Sequence, residues 1–153
     1  MLQPTFIRGS ITSPIGSHSK IICQCCNNRG LMGAGVALAI AKKWKIVKDD
    51  YVKWCQEGVE LGDVQFVRVQ NDIVVANIIG QKGLRSQQNP KPISYEAIRK
   101  GFRQVAEYAI ENKCEVHIPR LGAGLAGGKW SEIYSLVKKW FSNKDIPVFI
   151  YEI

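Results

Sequence analysis

The chain has 153 residues, 46% hydrophobic and 22% charged, with 21 Lys and Arg against 13 Asp and Glu for a formal net charge of +8. That length and mix predict one globular domain over 1–153 and exclude disorder. No apolar run approaches the ~20 residues needed to span a bilayer, and the opening MLQPTFIRGS lacks the apolar core of a secretory signal, so a cytoplasmic location and no membrane partner are expected.

Thr5 to Arg8 reads as a short edge strand before a turn at Gly9. Lys20 to Cys26 reads as a strand entering the glycine-rich turn N-N-R-G-L-M-G-A-G. Met32, Val36, Ile40 and Trp44 then recur every four residues, the spacing of one helix face. Asp49 is placed as the N-cap of a second short helix closed by Gly58. Val64 to Val69 and Ile73 to Ile79 are two strands around Asn71-Asp72. The second, IVVANII, is almost unbroken apolar sequence, which marks a strand buried on both faces under helices.

Gly80 to Pro92 reads as a long exposed loop, a class that often carries function. Ser94 caps a helix whose Ile98, Phe102, Val105, Ala109 and Ile110 form a core-facing stripe. Val116 to Ile118 is a strand feeding a second glycine-rich turn, R-L-G-A-G-L-A-G-G. Trp130, Ile133, Tyr134, Val137, Trp140 and Phe141 mark the last helix, and Pro147 to Ile153 the last strand. Strands alternating with helices predict an α/β fold: a three-layer α/β/α sandwich around a mixed, mostly parallel central sheet.

Five cysteines, with Cys23, Cys25 and Cys26 in one strand, make a poor disulfide framework. C-x-C-C is not zinc-knuckle spacing, and His18 and His117 add little, so no metal is expected and the thiols read as small buried hydrophobes. His117, inside a strand, reads as a packed core histidine rather than a base. The positive charge favours anionic partners, but Lys42, Lys43, Lys45, Lys48, Lys138 and Lys139 are scattered over helix faces, so direct nucleic-acid binding is not expected.

Both glycine-rich segments lie between a strand end and a helix start. In an open α/β sheet that is where ligands collect. Glycine lets the backbone approach closely, and helix-start N–H groups favour an anion. Two such loops on one sheet edge could grip a diphosphate from both sides. Gly122, Gly124 and Gly127 also spell G-x-G-x-x-G, which raises a Rossmann dinucleotide site as a rival. Too little chain follows the motif for that fold, and the acid expected about 20 residues on is missing.

Asn27-Asn28-Arg29-Gly30-Leu31-Met32-Gly33-Ala34-Gly35-Val36-Ala37, with Pro119-Arg120-Leu121-Gly122-Ala123-Gly124-Leu125 and then Trp130, resembles the macrodomain family. The branch it looks most like contains terminal ADP-ribose protein glycohydrolase and the ADP-ribose-1''-phosphate phosphatases. The resemblance implies a site for ADP-ribose or a derivative, with no cofactor, and ADP-ribosylated macromolecules as further partners. It implies ligand contacts from Gly9, Ser10, Asn27, Gly30, Met32, Gly33, Ala34 and Gly35, with Gly122, Ala123, Gly124 and Leu125 as the opposing phosphate clamp. Asn27 and Gln81 are the candidate catalytic residues, as orienting groups at the distal ribose. Ser10 replaces an aspartate that reads adenine in many members, which implies a weaker or shifted adenine contact. Gln81 and Ala126 replace a lysine and an aspartate of the glycohydrolase branch, and Lys82, one residue on, is expected to point the other way. Two functions therefore stand: a hydrolase acting on ADP-ribose-1''-phosphate or on ADP-ribosyl groups, and a module that binds ADP-ribose without turnover.

Overall fold

The computed structural model describes residues 1–121 and 127–152. Six strands, β1 (Thr5–Arg8), β2 (Lys20–Asn27), β3 (Val64–Gln70), β4 (Ile73–Gln81), β5 (Glu115–Pro119) and β6 (Val148–Glu152), form one sheet in the order β1-β6-β5-β2-β4-β3. Every pairing is parallel except β3 with β4, the hairpin closed at Asn71-Asp72. Four α-helices among the described residues cover it: α1 (Gly35–Lys43), α2 (Lys45–Glu57), α3 (Tyr95–Asn112) and α4 (Trp130–Trp140).

Strand alternation sorts the core into two layers. Ile21, Cys23, Ala76, Ile78, Val116, Ile118, Val148 and Ile150 pack under α3 and α4, where Ile98, Phe102, Val105, Ile133 and Val137 are fully buried. Ile22, Cys26, Val75, Ile79 and Tyr151 pack on the other face under Ile40 of α1 and Val47 and Tyr51 of α2. This is the three-layer sandwich that the alternating pattern predicted.

Three local expectations need correction. Met32 and Trp44 do not share a helix face with Val36 and Ile40, because α1 runs only from Gly35 to Lys43, although both are buried beside Ile40. Asp49 does not cap α2: the helix restarts at Lys45 immediately after Trp44, and Asp49 lies inside it, facing Lys45 at 3.7 Å. The buried Val47 and Tyr51 require that earlier start, because both must point from a helix into the sheet. Gly58 does close the helix, at φ 110°. Ile110 is also outside the core stripe of α3, being 58% exposed, whereas Ala106 is buried. One residue beyond Ala109 is a rotation of about 100°, enough to carry a side chain off the buried face.

His117 lies in the core against Phe149 and Tyr151. The Tyr151 hydroxyl accepts from the Ile15 N–H and sits 2.7 Å from His117 Nδ1, which leaves Nε2 toward Glu115 at 3.6 Å. Burial, helped by the Lys20 ammonium, brings the imidazole down to about 4. The unfolded chain therefore takes up the proton first. Stability is complete above pH ~6.5 and falls as pH drops toward 4. Urea unfolding between pH 7 and pH 4 should register a loss of about 2–3 kcal/mol from this group.

Candidate functional site

The site begins with a divergence of two strands. β2 pairs with β5 only from Lys20–Glu115 to Ile22–His117, yet continues beside β4 as far as Asn27–Gln81. β5 meanwhile stays with β6 to Pro119–Tyr151. A fork therefore opens between Gln24–Asn27 on one side and Pro119–Leu121 on the other, at the carboxyl ends of the strands. It holds a cavity of about 780 Å³, roofed by the Leu31–Ala37 segment and by Leu84 and Arg85. This is the crevice that open α/β sheets offer to ligands.

Asn27 organises the loop from β2 to α1. Its Nδ2 donates to the Leu31 carbonyl at 2.7 Å, and its Oδ1 accepts from the Arg29 and Leu31 N–H groups at 2.9 and 3.3 Å. From α2 the buried Tyr51 hydroxyl donates to the Asn27 main-chain oxygen at 2.6 Å and lies 2.9 Å from Oδ1. Burial holds the Tyr51 hydroxyl protonated, far above the ordinary phenol range. Replacing Tyr51 by Phe leaves these acceptors short of a donor in a dry site. Urea unfolding of Tyr51→Phe should show a loss of about 1–2 kcal/mol.

Gly30 turns the loop at φ 75° and lies against α2, where a Cβ would stand 3.3 Å from Cys55 Cβ. Gly33 is different: it is exposed at the cavity lining, and a Cβ there would meet nothing within 4 Å. α1 starts at Gly35 without a side-chain cap and without an acid in its first turn. Gly35, Val36 and Ala37, whose N–H groups carry the positive end of the helix dipole, are among the residues that line the cavity.

The segment after β4 is tied to that loop. The Gly83 N–H donates to Asn28 Oδ1 at 2.9 Å, and the Asn28 N–H to the Gln81 carbonyl at 3.2 Å. Gln81 Nε2 donates to the Gly83 carbonyl at 3.0 Å, and Asn89 Nδ2 donates to the carbonyls of Lys82 and Leu84 at 2.8 and 3.0 Å. Gly127, at φ 73°, closes against the same segment: a Cβ there would stand 2.6 Å from the Pro90 oxygen.

The described cavity lining contains no carboxylate, imidazole or ammonium; its charged groups are the guanidinium side chains of Arg85 and Arg120. Arg120 also lies 3.7 Å from Glu152 and over the Trp130 ring at 5.2 Å. The thiols there are poor nucleophiles. Burial pushes Cys25 up to about 12 and Cys26 well above the ordinary thiol range. The lining can hold an anion and orient a polar ligand, but among the described residues nothing is placed to transfer a proton.

Of the residues singled out in the sequence, Asn27, Met32, Gly33, Ala34, Gly35 and Gln81 come together around the cavity. Gly30 does not reach the described lining, because it serves the packing of the loop on α2. Gly9 and Ser10 are also absent from it. Gly9 donates to the Glu152 carbonyl at the end of β6, and the Ser10 hydroxyl is 2.7 Å from that of Thr12. Gly122, Ala123, Gly124 and Leu125, with Ala126, lie outside the described residues. Lys82 lines a separate cleft of about 440 Å³ with Arg29 and Asn89 and is not among the residues lining the fork. Sequence reasoning missed Gln24, Arg85 and Arg120 as lining residues. Gln24 carried a signal, as an amide in an otherwise apolar strand; Arg85 carried none, since only loop packing brings it to the fork.

The family model described as Macro domain matches residues 23–137. A protein of unknown function from Bacteroides thetaiotaomicron is 42% identical, with a TM-score of 0.95 over 99% of each chain. A macrodomain protein from Streptomyces coelicolor is 36% identical, with a TM-score of 0.87 over 99% of each chain. An ADP-ribose 1''-phosphate phosphatase of Candida albicans is 24% identical over 95% of this chain and 97% of its own length.

Proposed function

The chain belongs to the Macro domain family, and we propose that it binds ADP-ribose in the fork between β2 and β5 and hydrolyses a derivative of it, ADP-ribose-1''-phosphate. The observation that carries the binding is the fork itself: an uncapped helix start and two guanidinium groups around a cavity that contains no acid among its described residues. The diphosphate lies against the amides of Gly33 to Ala37, where a dipole end and N–H donors favour an anion. Gly122 to Leu125 are its opposing clamp. The distal ribose lies beside Asn27 and Gln81.

The phosphatase reading draws on the relative of that name, which matches nearly end to end. Gln81 stands where the glycohydrolase branch has a lysine, so a lysine adduct with the sugar has no nucleophile at that position. In the phosphatase reaction a water attacks phosphorus and gives up a proton to solvent, the P–O bond to the distal ribose breaks, and the departing oxygen takes a proton from solvent. Asn27 shapes the loop that positions the phosphate, so the acceleration comes from orientation and N–H donors. Turnover is then slow, because a placed base would contribute a further ~10²–10⁴-fold. The second reading, a module that binds and does not turn over, is favoured by the same lack of a proton-transfer group among the described lining residues. ADP-ribosylated macromolecules would then be recognised through the nucleotide they carry.

One assay separates the two. The protein is incubated with ADP-ribose-1''-phosphate and released phosphate is measured, with Asn27→Ala alongside. The enzyme reading expects release, slowed at least ~10-fold in Asn27→Ala as the loop loses its anchor. Binding without release establishes the reader. For location, no helix among the described residues is long and apolar enough to cross a membrane.

A further inference from the structure

The outer side of α4 and the edge strand β1 share a surface on which aromatic rings and cations are interleaved. Trp130, Tyr134 and Lys138 follow at four-residue spacing along α4, neighbours on one side of the helix. The Trp130 and Tyr134 rings lie 6.0 Å apart, and Phe6 of β1 joins them at 5.9 Å from Tyr134. Phe6 pairs in register with Ile150, which packs under α3 and α4, so its side chain belongs to that layer, yet it is 50% exposed. Arg8, two residues on and therefore on the same face of β1, is exposed beside it. The Arg120 guanidinium stands over the Trp130 ring at 5.2 Å and the Lys138 ammonium over Tyr134 at 5.1 Å. None of the cation–ring contacts among the described residues covers Phe6. Of the acids, Glu152 meets this surface, 3.7 Å from Arg120, whereas Glu132 lies about 200° round α4 from Trp130.

Rings set among cations suit a ligand that carries flat bases on a chain of phosphates. We propose that this surface binds single-stranded nucleic acid, with a base stacked on Phe6 and phosphates held by Arg8, Arg120 and Lys138. Lysines scattered over helix faces are no reason to expect such a ligand, but the fold gathers these three cations from distant parts of the chain around three rings. A duplex hides its base faces and would leave Phe6 without a partner. A second copy of this chain, meeting this surface across a two-fold axis, would set cations against cations. An anionic membrane would satisfy the charges, but it is bound through apolar side chains that enter the lipid, and here cations stand over Trp130 and Tyr134. Arg120 also lines the fork, so the surface adjoins the proposed ADP-ribose site without depending on it.

Fluorescence anisotropy with a labelled single-stranded oligothymidylate tests it. Wild type should bind the strand with an affinity that falls as salt rises. Phe6→Ala should weaken that binding about tenfold, the loss of one stacked base, and leave binding of a duplex unchanged. Arg8→Ala combined with Lys138→Ala should weaken it further and make the log–log salt slope shallower by about 0.7 for each phosphate contact removed. Lys48→Ala combined with Lys53→Ala takes the same charge from exposed positions of α2, on the opposite face of the sheet, and should stay within about twofold of wild type. A general attraction of the +8 chain for a polyanion would instead weaken both pairs equally. All five positions are exposed, so each variant should melt like wild type. The proposal is overturned by equal losses in the two pairs, by no loss in Phe6→Ala, or by failure of wild type to bind the strand at low salt. Binding to phosphatidylserine vesicles in place of the oligonucleotide overturns it too. None of the five positions lines the fork, so this result and the one for ADP-ribose fail separately.

Discussion

A Gly33→Glu protein is expected to fold and melt like wild type and to lose stabilisation by ADP-ribose. The position accepts a side chain without strain, since a Cβ at Gly33 has no neighbour within 4 Å and its φ lies outside the left-handed region. Gly33 lines the cavity two residues before α1, so the new carboxylate stands beside the start of that helix. A carboxylate at a helix start is a favourable partner for that dipole, so it would occupy the place proposed for the diphosphate. It would also repel the diphosphate directly in a partly dehydrated site. Wild type at ligand concentrations about 100 times its dissociation constant should gain roughly 2.7 kcal/mol, and Gly33→Glu should gain none. Thermal denaturation with and without ADP-ribose reads both values. A mutant that melts normally and keeps the ligand shift would place the diphosphate elsewhere.

The largest loss of stability is expected from Phe102→Ala, about 3–5 kcal/mol. Phe102 is fully buried at the centre of α3, with its ring 5.0 Å from that of Phe141, where α3, α4 and the sheet meet. Both helices are anchored there, so the cavity left by truncation cannot close by moving one of them. At this size each kcal/mol corresponds to roughly 2–4 °C, so the midpoint should fall by about 6–20 °C. Phe102 is not among the residues that line the fork, and the surviving folded fraction should still bind ADP-ribose. Saturating ligand should restore part of the midpoint by mass action. A loss below ~1 kcal/mol would mean that the two helices repack freely.

The two predictions differ in how far the sequence alone could have made them. Phe102 falls on a periodic stripe with Ile98 and Val105, and that period is enough to bury it. Gly33 was legible as a loop glycine between a strand and a helix. That its missing Cβ leaves cavity, while that of Gly30 leaves room for Cys55, required the position of α2. The start of α2 was itself misplaced from sequence. Asp49 is a good local cap, but burial of Val47 and Tyr51 outweighed it, and a cap is worth only about 1 kcal/mol.

By itself, the sequence determined the alternation of strands and helices, the doubly buried β4, and the glycine-rich turn that follows β2. These are local properties, set by a period of two or of 3.6 and by which residues tolerate a turn. Tertiary structure alone decided that β2 parts from β5 after Ile22 while staying with β4, which opens the fork. It also decided that Gln24, Asn77 and Gln65 align into one chain of amides. The fork and the Gln24–Asn77 link depend on register between strands about 50 or more residues apart in the chain, whereas Gln65 and Asn77 face each other across a hairpin. Register is settled by the summed burial of whole strands, and no window of local sequence contains that sum.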